Sequence, residues 1–107
     1  MRHERFRGAE VEAQLARVLL ASATTAGVVV EIEQHRSRPW ASATFVGAQH
    51  RLTLAATPEP RQGEWVAGLA EAEFALRGHV VVSLEVERPA DGEGDGRIAL
   101  SVLTIED

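Results

Sequence analysis

A chain of 107 residues that is 45% apolar has material for one self-supporting core and fits a single domain. It contains no cysteine, which removes disulfides, thiolate metal sites and cysteine nucleophiles. The net charge of −5 works against general affinity for phosphate backbones.

Residue usage adds a hint of origin. Every basic residue is arginine, and lysine, asparagine and tyrosine are absent. Those three have A/T-rich codons, so a bacterium with a GC-rich genome is expected. No apolar run approaches the ~20 residues of a membrane span. Arg2, Arg5 and Arg7 are not followed by an apolar segment, so the N-terminus does not read as a signal peptide. A cytoplasmic protein with no membrane contact is expected.

Residues 1–8 read as a flexible polar lead-in, and residues 9–107 as a single α+β domain. From Glu10 to about Thr25, Val11, Leu15, Val18 and Leu19 make one helical stripe. Gly27 is placed to end that helix in the left-handed conformation. The period then falls to two: Val28, Val30 and Ile32 alternate with Glu31 and Glu33, a half-buried strand. Ser37-Arg38-Pro39 is expected to break it. A second strand is predicted over Trp40–Val46, a hairpin turn at Gly47-Ala48-Gln49, and a third strand carrying Leu52 and Leu54 inward.

Pro58 and Pro60 interrupt pairing. A second helix is expected from about Arg61–Glu64 to Ala72–Ala75, with Gly78 as the exit. His79–Glu87 alternates again, with Val80, Val82, Leu84 and Val86 expected inward. Pro89–Gly96 is a glycine-rich acidic loop. In Arg97–Glu106, Ile98, Leu100 and Val102 share a face, and Leu103 and Ile105 take the other, which suggests a bulge or a second covered surface.

The predicted order is α-β-β-β-α-β-β. It implies a two-layer sandwich, a mainly antiparallel five-stranded sheet with two helices on one face.

No motif identifies a family, and the residues that carry chemistry are few. Asp91, Glu93 and Asp95, with Gly96, match the first half of a calcium loop, but Val102 occupies the position of the bidentate glutamate. His35, His50 and His79 fall near strand ends, where they could meet at a metal with Glu33, or supply a general base from His50 or His79 beside a carboxylate. Serines lie in no nucleophile-elbow context, and no phosphate-binding glycine motif opens a helix. Arg2, Arg5, Phe6 and Arg7 form one basic-aromatic tip, and Arg36, Arg38 and Trp40 another, the chemistry of a nucleic-acid surface. Acids outnumber arginines, so nucleic acid is disfavoured as the partner.

Val29, Val46, Val81, Leu103 and Ile105 are assigned to the sheet face away from the helices, more apolar surface than a wetted face requires. The reading that follows is a non-enzymatic binding or assembly domain acting as a homodimer, with no cofactor. A protein partner or a small apolar ligand held by Phe45, Trp65 and Phe74 is compatible with it. The alternatives are a small enzyme or metal-dependent protein built on His/Glu residues, and a nucleic-acid-binding accessory domain.

Overall fold

The computed structural model describes residues 8–57, 59–87 and 96–107. It is an α+β fold of two helices and a four-stranded antiparallel sheet: α1 (Gly8–Thr25), β1 (Val30–Ala41), β2 (Val46–Ala56), α2 (Pro60–Leu69), β3 (His79–Glu87) and β4 (Arg97–Glu106). The strand order is β1-β2-β4-β3, so β1 and β3 are the edges.

Helix α1 buries Val11, Leu15, Leu19 and Ala23, the stripe its sequence spacing requires. It stops as Gly27 predicts. The Val28 N–H donates to the Ala23 carbonyl at 2.8 Å and the Gly27 N–H to that of Thr24 at 3.0 Å, with Gly27 at φ 77°. This pair of hydrogen bonds around a left-handed residue satisfies two of the helix's orphan carbonyls.

The sheet departs from expectation at its first hairpin. Two long strands replace three short ones, so the sheet has four strands and not five. Ser37-Arg38-Pro39 does not break β1; Pro39 stays in register opposite Ala48. An edge strand tolerates proline because one side of its backbone needs no ladder donor. The turn is Ser42–Phe45. There the Ser42 N–H donates to the Phe45 carbonyl at 2.8 Å, and the Ser42 hydroxyl accepts from the Phe45 N–H at 3.1 Å. Serine chemistry makes the turn, while Gly47-Ala48-Gln49 lies within β2. Gly47 serves a close approach: a Cβ there would stand 1.9 Å from the Thr104 carbonyl oxygen.

Two bulges set which side chains face which way. Between Ile32 and Gln34 the β1 register shifts by one residue, and between Val81 and Ser83 that of β3 does the same. After each bulge the alternation changes phase. Val81 therefore packs on the core while Val80 and Val82 are exposed, the reverse of the expected pattern. Val29 is exposed ahead of β1, and Val46 falls in phase with Ala48 and His50 at the start of β2, also exposed. Strand β4 itself pairs with β2 without interruption, so Leu103 and Ile105 face outward with no bulge of their own.

One apolar cluster unites Leu15 and Leu19 of α1, Trp65, Val66 and Leu69 of α2, and Leu52, Leu54, Leu84, Ile98, Leu100 and Val102 of the sheet. The indole N–H of Trp65 donates to the Ser22 hydroxyl at 2.9 Å and ties α2 to α1. Helix α2 ends at Leu69, earlier than expected. Gly63 and Gly68 lower its propensity, and two four-residue turns close it, with the Glu71 N–H donating to the Gly68 carbonyl and the Ala72 N–H to that of Leu69. No helix among the described residues is long and apolar enough to cross a membrane.

Candidate functional site

The first bulge gathers a buried polar cluster. It moves His35 and Ser37 onto the same face as His50, which stands opposite Ser37 in the ladder. The His35 Nε2 and His50 Nδ1 lie 3.4 Å apart, and His50 Nε2 is 3.1 Å from the Thr104 hydroxyl. The Thr104 hydroxyl also reaches the Ala48 carbonyl at 3.4 Å, and the Ser37 hydroxyl donates to a Glu12 carboxylate oxygen. His50 is fully buried, and both its ring nitrogens have protein partners. Desolvation, then the nearby His35 ring, push its pKa from 6.5 down to about 4, against the pull of the Glu12 carboxylate. Burial lowers the pKa of His35 as well, again opposed by Glu12. His50 is therefore neutral near neutral pH.

The three histidines, which could have met at a metal, do not form a ligand set among the described residues. His79 is buried with its Nδ1 3.2 Å from the Arg77 carbonyl, and Glu33 sits on the other sheet face, where Arg97 Nε donates to it at 2.9 Å. Among the described residues no three His, Cys, Asp or Glu side chains come together as a metal-binding set. The calcium-loop candidates Asp91, Glu93 and Asp95 lie outside the described residues, as do Arg2, Arg5, Phe6 and Arg7.

The aromatic candidates are divided. Trp65 is buried in the apolar cluster and Phe74 packs against it, whereas Phe45 is half-exposed in the β1–β2 turn and outside that cluster. His35 lines a groove between α1 and β1 with Glu12, Ala16, Leu20, Val30 and Ile32.

The outer face of the sheet is where unexplained surface collects. Its side chains are all exposed or half-buried, apart from the buried Gly47. The registers arrange it in cross-strand rows. Trp40, Gly47, Ile105 and Val80 form an apolar row at the β1–β2 turn end, followed by Arg38, Gln49, Leu103 and Ser83. The next row is Arg36, Arg51, Ser101 and Glu85. A groove of about 550 Å³ is lined by Arg36, Arg38, Gln49, Arg51 and Ser101, with Ser37 at its margin. Arg51 donates to Glu87 at 3.1 Å across exposed surface. The side chains of Arg36 and Arg38 make no hydrogen bond or ion pair among the described residues. Sequence reasoning grouped Arg36, Arg38 and Trp40 as a basic-aromatic cluster at an expected strand break, whereas all three lie on the one strand β1. It missed Arg51, Gln49 and Ser101, which only the register of three strands brings to them.

No family model matches the chain, and no curated protein matches it. A solved structure, the type 4 fimbrial biogenesis protein PilO from Pseudomonas aeruginosa, aligns over 92% of this chain and 67% of its own, at 15% identity and a TM-score of 0.48. A likeness of that strength assigns this chain neither a fold family nor a function.

Proposed function

We propose that the chain is a non-enzymatic binding or assembly domain that acts as a homodimer through the β1–β2 turn end of the outer face of its sheet. In this reading both helices form one layer against the buried face, a two-layer arrangement that leaves the opposite face for a partner. The observation that carries it is the apolar row Trp40, Ile105 and Val80, with Leu103 beside it, lying on that outer face. Apolar side chains grouped on one exposed surface favour association, and a two-fold interface buries such a patch twice.

The edges are poorer docking sites. Strand β1 carries a bulge, a proline and two arginines, and β3 carries a bulge and two glutamates, devices that blunt edge pairing. The alternative of a small enzyme built on His50 is weakened by the burial of that ring and by its two protein partners.

Sedimentation velocity over a concentration series tests the reading, with Ile105→Glu as the variant. Wild type is expected to sediment as a dimer and Ile105→Glu as a folded monomer. A wild-type chain that stays monomeric at the highest concentration, while fully folded, would refute it.

A further inference from the structure

We propose that the arginine groove on the outer face binds a small phosphate-bearing anion. The lead is a charge arrangement that folding alone disfavours. Arg36 and Arg51 stand directly opposite each other on neighbouring strands, and like charges so placed destabilise a sheet. Arg38 lies two residues along β1 on the same face. Facing Cα atoms sit ~5 Å apart and residues i and i+2 ~7 Å apart, so three long side chains rise from one small triangle. Their guanidinium groups can meet at a single point.

The donors are available for a ligand. Arg36 and Arg38 have no partner among the described residues. The Arg51–Glu87 pair is exposed on both sides, with side-chain exposures of 65% and 44%, and such pairs contribute little. Ser101 accepts the Gln49 amide at 2.9 Å, which leaves its own O–H to donate. No acidic side chain is among the described residues lining the groove.

Phosphate fits this set better than carboxylate. Three planar forks and a hydroxyl approach from different directions, and a tetrahedral oxyanion offers an acceptor oxygen to each. A dianion between Arg36 and Arg51 also removes their repulsion. The groove, about 550 Å³, is within the range of small-molecule sites. The net charge of −5 repels a long polyanion, which favours a small ligand over a nucleic-acid strand.

Isothermal titration with pyrophosphate at constant ionic strength tests the proposal, with citrate and a single-stranded oligonucleotide as competing ligands. Arg36→Ala and Arg38→Ala are the variants, and their melting temperatures are measured alongside. The expected result is saturable pyrophosphate binding, weaker citrate binding, and a loss of about tenfold in affinity for each variant. Arg36→Ala is expected to melt no lower than wild type, because it relieves the like-charge pair. Absence of saturable binding at millimolar pyrophosphate overturns the proposal. So does undiminished affinity in both variants, citrate binding as tight as pyrophosphate, or an oligonucleotide that binds more tightly than either.

Discussion

Acidification is the sharpest probe of the histidine pair beneath α1. In the folded chain His50 resists protonation until the pH nears 4, whereas in the unfolded chain it protonates near its ordinary value of 6.5. Between those limits the unfolded state binds more protons, so folding stability falls as the pH falls. It is fully retained above 6.5 and lost progressively toward 4. A shift of this size, at 1.36 kcal/mol per pH unit, corresponds to about 3 kcal/mol. A typical domain has ~5–15 kcal/mol of stability in total, so the melting temperature should drop by more than ~10 °C across the window. His35, also lowered by burial, adds in the same direction. The assay is urea unfolding at a series of pH values for wild type and His50→Gln. Glutamine keeps an amide near the Thr104 hydroxyl and removes the titrating ring. It leaves His35 short of a partner, so the variant should start about 1–3 kcal/mol less stable at neutral pH. Its stability should then decline much less steeply between 6.5 and 4 than that of wild type. Parallel curves for the two proteins would refute the assignment of a buried neutral His50.

Other substitutions test the fold at defined points. Gly47→Ala drives a methyl into the Thr104 carbonyl and should cost about 2–3 kcal/mol by chemical denaturation. Ser42→Ala removes the acceptor for the Phe45 N–H and should cost about 1 kcal/mol, with hydrogen exchange rising in the turn. Leu15→Ala empties the centre of the apolar cluster and should cost ~2–5 kcal/mol. Trp65→Phe strands the Ser22 hydroxyl and should lower stability by about 1 kcal/mol, measured by thermal melting.

The legible parts of this fold are those where one local signal decides. The α1 stripe and its Gly27 stop follow from spacing and from one residue's conformational freedom, and the inward sets Leu52, Leu54 and Ile98, Leu100, Val102 follow from alternation. The hairpin was misread because two local signals pointed the wrong way. Pro39 marks a break only where its strand is paired on both sides, and β1 is an edge. Gly47 marks a turn only where no neighbour crowds it, and here β4 does. Gly63 and Gly68 weaken α2, but Ala70 to Ala75 suit a helix while Phe74 and Leu76 could equally begin a strand, so spacing alone does not fix the stop at Leu69. Phe74 is drawn onto the core instead.

The bulge at Glu33 shows why the site was harder to read than the fold. Strict alternation from Val30 would put His35 and Ser37 on the outer face with Glu31, and Arg36 and Arg38 on the core. One extra residue exchanges the two sets. It places His35 against His50 and Ser37 against Glu12, where buried polar groups find partners. The same step turns Arg36 and Arg38 outward beside Arg51. Without it Arg36 and Arg38 would turn toward the half-buried space beneath α1, against His50 and Leu52, where desolvation costs a guanidinium group. The charge pattern of β1 therefore favours the bulge, although it does not specify which residue forms it. The buried side of that step has its partners within the chain. The outer side has two arginines with none among the described residues, and that imbalance makes the groove the place to look for a ligand.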